Sequence, residues 1–217
     1  MNLWIYSSAI EIHKTACSLV LFGAETLKRA KVIKEINILE DIHYGLGYGR
    51  IHSDSPVISE FFFEYLIDSI KILIFFENYM KAELMMKGIC VHKLNGGIPA
   101  FTRLAKEQFR RPIRLDEIDK IQPFQIEEEF KVIQHQAIRE TTLGYSELTK
   151  SFNYLNHYEI DSSKLEFISQ INKTRNRLHF NNSIDFELTE EFISNIKAVN
   201  QFADDMINKF LNWYSNK

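Results

Sequence analysis

Residues 162–180 read SSKLEFISQINKTRNRLHF and contain no glycine or proline. Leu165, Ile168 and Ile171 recur at steps of three, which at about 100° per residue places them on one face of an α-helix. The opposite and flanking positions are polar or charged, namely Glu166, Gln170, Lys173 and Arg177. The spacing therefore predicts an amphipathic helix with one buried and one solvated face.

The inward stripe of this helix changes from aliphatic to polar toward its end. Asn172, Arg175, Asn176 and His179 continue the side that Leu165 and Ile168 begin. Buried polar groups that lack partners cost about 1 to 3 kcal/mol each, so these side chains need partners. One solution is a carboxylate on a neighbouring helix. The other is a cleft or subunit interface, where Arg175 binds an anion and His179 transfers protons near neutral pH.

The same three- and four-residue spacing extends over most of the chain, and we find no sustained alternation typical of strands. The 217 residues include only eight glycines and four prolines, which also argues against turn-rich β folds. We predict an all-α, single helical bundle of about seven or eight helices. The predicted helices are 2–22, 24–42, 56–87, 100–108, 125–139, 146–157, 162–180 and 189–213.

The chain is short enough for one domain over residues 1–217. Within it we distinguish N-terminal helices at 1–44, a long core helix at 54–94, a connecting segment at 95–123, and helices at 124–217. Three of the four prolines and a group of arginines mark the connecting segment as a series of short helices. Its pair Arg110–Arg111 and the acidic run 127–129 are expected to be solvated.

Charge and cysteine content restrict the function classes. A formal net charge of −3 argues against a long nucleic-acid track, which needs a basic excess. Cys17 and Cys90 are the only cysteines and indicate neither a disulfide framework nor a cysteine zinc site. We expect a cytoplasmic protein without a secretory signal. The most apolar segment, 61–86, carries six charged residues, so we expect no membrane contact.

Two other features of the sequence are candidate sites. The glycine-rich stretch 43–52, with its core Gly45–Arg50, lacks the fingerprints of dinucleotide and phosphate loops, so a linker between helices is the favoured interpretation and a ligand site the alternative. The seven histidines show neither zinc-protease nor di-iron spacing. We therefore predict no metal and no cofactor.

The residues Arg175-Asn176-Arg177-Leu178-His179-Phe180-Asn181 resemble the signature of HEPN (higher eukaryotes and prokaryotes nucleotide-binding) domains, often R-N-x-x-x-H near the end of a helix close to the C-terminus. Here the histidine comes one residue earlier, giving R-N-x-x-H. The departure leaves three interpretations: a tolerated variant, a shift of the arginine role to Lys173, or loss of activity. The resemblance covers this motif and, in general shape, the helices from about residue 125 onward.

The resemblance implies a metal-independent endoribonuclease, commonly a homodimer with a composite site. It assigns His179 as acid and base, Arg175 as phosphate clamp and Asn176 as orienting donor. Lys173 and Arg177 would add positive potential for RNA. A defence or toxin role with a neutralising partner protein follows from the resemblance alone.

Two alternatives remain. The first is an inactive helical module of the same fold that binds protein or nucleotide. The second is an interaction domain that pairs through the aromatic-rich helix around Phe61–Phe76, although core packing explains those aromatics equally well.

Overall fold

A computed structural model describes residues 9–30, 56–123, 125–127, 130–132, 138–150, 152–158, 160, 162–177 and 190–216. These residues are predominantly helical, which confirms the predicted all-α class. The glycine-rich stretch 43–52 and the second predicted N-terminal helix beyond residue 30 lie outside the described residues. None of the described helices is both long and apolar enough to cross a membrane.

Four long helices account for most of the described chain. They are α1 (Ala9–Lys28), α2 (Pro56–Met86), α7 (Ser162–Arg177) and α8 (Glu190–Ser215). The shorter helices are α3 (Thr102–Glu107), α4 (Leu115–Ile121), α5 (Tyr145–Lys150) and α6 (Phe152–Leu155), and a 3-10 turn covers Pro99–Phe101. Within the described residues, the bounds of α2, α7 and α8 agree with the predicted helices to within two residues.

The predicted helix at 125–139 is wrong. This region contains strands β2 (Gln125–Glu127), β3 (Phe130–Val132) and the start of β4 (Ile138–Thr142). Strands β2 and β3 pair antiparallel, with Gln125 opposite Val132 and Glu127 opposite Phe130. Strand β4 pairs antiparallel with β1 (His92–Leu94). Apolar residues at 126, 130 and 133 fit a helical period, but the β-branched residues concentrated here favour strands.

The predicted break at Gly23 is also wrong, because α1 continues through this residue. A Cβ atom added at Gly23 would lie 3.0 Å from the Cα atom of Phe75 in α2. The glycine therefore permits close approach of two helices, and it does not end one. The region of the single helix predicted at 146–157 contains α5 and α6, and residue 151 between them lies outside the described residues.

The chain divides into two compact units, formed by residues 1–20 with 77–160 and by residues 21–76 with 161–217. In the second unit, α8 buries residues at steps of three and four: Ile193, Ile196, Val199, Ala203, Met206 and Phe210. Phe76 of α2 stacks on Phe202 of α8 with ring centroids 5.3 Å apart. Burial of this apolar stripe stabilises the unit.

The first unit packs the end of α2 against the β1–β4 ribbon and the short helices. Helix α2 stops where Gly88 takes a φ of +71°, the left-handed conformation that glycine adopts without a steric penalty. The chain after it is held by main-chain hydrogen bonds from Cys90 to Ile113 (2.8 Å), from Leu115 to Gly88 (2.9 Å) and from Leu143 to Val91 (2.8 Å). The core of this unit includes Met80, Leu84, Phe101, Ile113 and Tyr154.

Candidate functional site

The motif helix α7 has the two faces that its sequence predicts. Ile168 and Ile171 are fully buried, and Phe167 is buried beside them. Glu166, Gln170 and Lys173 are exposed on the other side. Helix α7 therefore presents one apolar face to the core of its unit and one charged face to solvent.

Asn172 marks the point where the inner face of α7 becomes polar. The residue is half-buried, and its Oδ1 atom is buried without a hydrogen-bond donor among the described residues. An amide oxygen in this state carries a desolvation cost of about 1 to 3 kcal/mol. The polar stripe predicted from the sequence thus begins at Asn172 with an acceptor that the described part of the chain leaves unsatisfied.

The predicted site residues follow directly along the same helix. The exposed Lys173 is described with its side chain, while Arg175, Asn176 and Arg177 are described as helical positions of α7 only. His179 lies outside the described residues. The structure therefore brings Lys173, Arg175, Asn176 and Arg177 onto the last turns of one helix, and the place of His179 stays a prediction.

A small groove lies near the other end of α7. It has a volume of about 50 Å³ and is lined by Phe76, Lys164, Phe167, Asn195, Ala198, Val199 and Phe202. The ammonium group of Lys164 sits 4.4 Å from the centre of the Phe202 ring, a cation–π contact. The groove is much smaller than a typical ligand pocket. Since Lys164 precedes Arg175 by eleven residues, about 16 Å along the axis, it is separate from the motif.

A polar cluster in the first unit has no counterpart among the predicted site residues. Lys81, only 7% exposed, forms an ion pair with Glu77 (2.5 Å) and donates a hydrogen bond to Oγ1 of Thr142 (2.8 Å). Burial, together with the nearby positive charge of Lys81, lowers the pKa of His92 to about 4. His92 is therefore neutral at pH 7. The sequence signal for this cluster is the spacing of Glu77 and Lys81, which lie four residues apart and therefore on one face of helix α2.

A second network joins the short helices of the first unit. The Arg111 guanidinium donates to both carboxylate oxygens of Glu117 (2.9 and 2.6 Å) and to Glu107 (2.6 Å). The hydrogen bond from Arg111 lowers the pKa of Glu117. Hydrogen bonds from Arg103 and Arg111 lower the pKa of Glu107. Arg110 is exposed as predicted, whereas Arg111 is not simply solvated, because it links two helices.

The described residues contain no group of three or more His, Cys, Asp or Glu side chains arranged to hold a metal ion. Comparisons with protein-family models, with curated proteins and with solved structures found no match to this chain. The resemblance to HEPN domains consequently stays a prediction that depends on residues 175–181. Of the residues that carry this resemblance, Arg175, Asn176 and Arg177 lie in the last turn of α7.

Proposed function

We propose that the chain is a metal-independent endoribonuclease of the HEPN type, acting as a homodimer in the cytoplasm. The site consists of Arg175, Asn176 and His179, with Lys173 and Arg177 contributing to RNA binding. A role in a prokaryotic defence or toxin system, with a neutralising partner protein, belongs to this proposal through the family resemblance.

The observation that supports the proposal best is the change from apolar to polar residues along the inner face of α7. Ile168 and Ile171 are buried on the inner face, and the next polar residue on that face, Asn172, holds a buried oxygen without a donor among the described residues. By helical spacing, positions 175 and 176 continue the face of Asn172 one turn later. A polar face that continues a buried apolar stripe is suited to a cleft or subunit interface.

The reaction needs few protein groups. A base removes the proton from a ribose 2′-hydroxyl, the O2′ atom attacks the adjacent phosphorus, and the bond from phosphorus to O5′ breaks. An acid returns a proton to O5′, which leaves a 2′,3′-cyclic phosphate and a 5′-hydroxyl. Arg175 neutralises the phosphoryl oxygens through its planar guanidinium, and His179 transfers the protons.

A homodimer follows from the proton balance of this reaction. One histidine does not easily act as base and acid in the same step, whereas two copies of the motif supply one of each. The near-neutral net charge of the chain agrees with a small local site, because a broad electrostatic track would need a basic excess.

The proposal is tested by incubating the full chain with single-stranded RNA in EDTA. We expect cleavage that survives chelation and falls by about 10²- to 10⁴-fold in His179→Ala, the usual contribution of an acid or base. In Arg175→Ala it should fall by about 10²- to 10³-fold, the usual effect of removing a donor that stabilises charge in the transition state. Glu166→Ala is the matched control, since Glu166 lies on the exposed face of the same helix. Cleavage that is absent in the wild-type chain, or equal in all variants, contradicts the proposal.

A further inference from the structure

Among the described residues of the first unit, Phe109 is the most exposed large apolar side chain. Its ring is 66% exposed, in the turn that follows α3, and the neighbouring Arg110 is exposed as well. We call residues 106–111 the Phe109 turn. An exposed phenylalanine does not contribute the stabilisation that its burial would give. The contacts that hold this turn show whether the fold imposes the exposure.

Gln108, the residue before Phe109, is fixed in the core. It is only 4% exposed, its Oε1 accepts a hydrogen bond from the main-chain N–H of Leu94 (2.9 Å), and its Nε2 donates to the carbonyl of His92 (2.7 Å). The buried hydroxyl of Tyr154 donates to the carbonyl of Gln108 (2.9 Å). Burial raises the pKa of Tyr154, which keeps this donor protonated.

Arg111, the residue after Arg110, is fixed by its ion pairs with Glu107 and Glu117, both at 2.6 Å. The main-chain N–H groups of Arg110 and Arg111 both donate to the carbonyl of Glu107, at 2.7 and 2.9 Å, so the chain continues on a helical path. The Phe109 turn is thus fixed on both sides of Phe109, by Gln108 and by Arg111. The exposure of Phe109 is therefore a consequence of the fold and does not come from a loosely held segment.

The charges around Phe109 are mostly positive. Residues 102–111 contain four basic side chains and one acidic one, a net charge of +3 within a chain whose net charge is −3. Glu107, the single acid, is engaged by Arg103 (2.7 Å) and Arg111 (2.6 Å). Among the described residues, no carboxylate lies within salt-bridge distance of Lys106 or Arg110.

Lys106, Phe109 and Arg110 lie three and four residues apart on this helical path and so share one face. Resting on the proposed ribonuclease function for the identity of the ligand, we propose that this face is a binding platform for single-stranded RNA. The exposed ring of Phe109 stacks on an unpaired base, and Lys106 and Arg110 contact the flanking phosphates. Aromatic rings beside cations are the usual means of binding unpaired nucleotides without strong sequence preference.

The chain offers a matched control for the stacking. Phe22 in α1 is 65% exposed, so its ring is as accessible as that of Phe109. The nearest charged residues in sequence are Glu25, Lys28 and Arg29, and Glu25 forms an ion pair with Arg29 at 3.6 Å. Residues 15–24 around Phe22 contain no charged side chain, in contrast to the net charge of +3 in residues 102–111, so this exposed ring lacks the electrostatic half of the platform.

The experiment measures binding separately from cleavage. A fluorescein-labelled 2′-O-methyl RNA of about 12 nucleotides, which cannot react through its 2′-oxygens, is titrated with the full chain in EDTA while anisotropy is followed. We expect Phe109→Ala and Phe109→Leu to weaken binding by about 5- to 100-fold, the usual effect of removing one stacked base. Phe109→Trp should retain affinity within about threefold, and Phe22→Ala should bind like the wild type. Circular dichroism verifies the fold of each variant.

Equal affinity in Phe109→Ala and the wild type, or no binding by the wild type, overturns the platform. Wild-type affinity in Phe109→Leu also overturns it, since leucine keeps apolar contact but has no aromatic face. A loss of self-association in Phe109→Ala by sedimentation assigns the ring to a protein contact instead. Binding that depends on Phe109 without cleavage of unmodified RNA supports the platform and contradicts the ribonuclease. Cleavage of unmodified RNA together with binding that does not depend on Phe109 supports the ribonuclease and contradicts the platform.

Discussion

Residues 102–111, which include the Phe109 turn, and residues 168–177 at the end of α7 each carry a net charge of +3, but the surroundings of the charged side chains differ. In the turn, the one acidic residue joins two arginines, and buried hydrogen bonds hold the main chain. Helix α7 is held by Ile168 and Ile171, and residues 168–177 contain no acidic residue. The net charge of a segment therefore indicates a binding surface only when the basic residues that form ion pairs with nearby acidic residues are left out of the count.

We expect the largest effect at Gln108, whose buried hydrogen bonds hold the Phe109 turn. Gln108→Ala leaves the Leu94 N–H and the His92 carbonyl without this partner in the core. We expect the free energy of unfolding to fall by about 2 to 4 kcal/mol, because buried groups that lose their partners bear a desolvation cost. Urea unfolding followed by circular dichroism measures the change.

The control for this variant is Gln201→Ala in α8, where the glutamine is exposed and bonds only to Asp205. Its effect should stay within about 0.5 kcal/mol. Equal effects of the two substitutions would show that the Gln108 hydrogen bonds do not stabilise the turn.

We expect the free energy of unfolding to decrease in acid, and we assign this decrease to His92 in the first unit. Its pKa is lowered to about 4 in the folded chain, so the unfolded chain binds the additional proton below its ordinary value of about 6.5. Stability should therefore be complete above about pH 6.5 and decrease as the pH falls toward 4. Between about pH 7 and 5 the loss should be about 1 to 2 kcal/mol.

His92→Gln should remove this part of the pH dependence in urea unfolding measured at several pH values. Between pH 7 and 5, Glu107 and Glu117 contribute little, because their lowered pKa values and the ordinary value of about 4.5 both lie below this window. Burial and Lys87 also lower the pKa of His157, whose contribution is the same in both proteins, so the difference between them reports His92. An unchanged slope in the variant would contradict the assignment to His92.

The smallest effect is expected at Asn172, where the inner face of α7 becomes polar. Replacing a buried acceptor that lacks a donor by an apolar group is neutral or stabilising, so Asn172→Leu should gain up to about 1 kcal/mol. Gln170→Leu, on the exposed face, is the control and should change stability by less than about 0.5 kcal/mol. Thermal unfolding compares them, and a marked destabilisation by Asn172→Leu would show that its oxygen is satisfied.

The long helices could be predicted because their apolar residues recur with a strict period. The steps of three and four from Ile193 to Phe210 leave one buried face for α8, and the same holds for Ile168 and Ile171 in α7. The region at 125–139 has a helical spacing of apolar residues, yet it contains strands, because the pairing of β2 with β3 decides its structure. Local pattern is insufficient where the partner strand determines the structure.

The glycine at 23 and the glutamine at 108 show a second limit. The pattern predicts separate helices at 2–22 and 24–42 with a break at Gly23, but the role of this glycine depends on the approach of Phe75, more than fifty residues away. Gln108 has partners that lie 14, 16 and 46 residues from it, so no local pattern marks it as an anchor. At the candidate site, the faces of α7 followed from spacing, whereas the desolvated oxygen of Asn172 needed the packed structure.

The central claim is that the end of α7 cleaves RNA by attack of a 2′-hydroxyl, with His179 transferring protons. The most direct measurement is the chemical identity of the 3′ ends that the full chain produces from single-stranded RNA in EDTA, for the wild type, Glu166→Ala and His179→Ala. We predict 2′,3′-cyclic phosphate ends from the first two proteins and about 10²-fold or more fewer from His179→Ala. Ends of another kind, or equal amounts of cyclic phosphate from all three, would contradict the account.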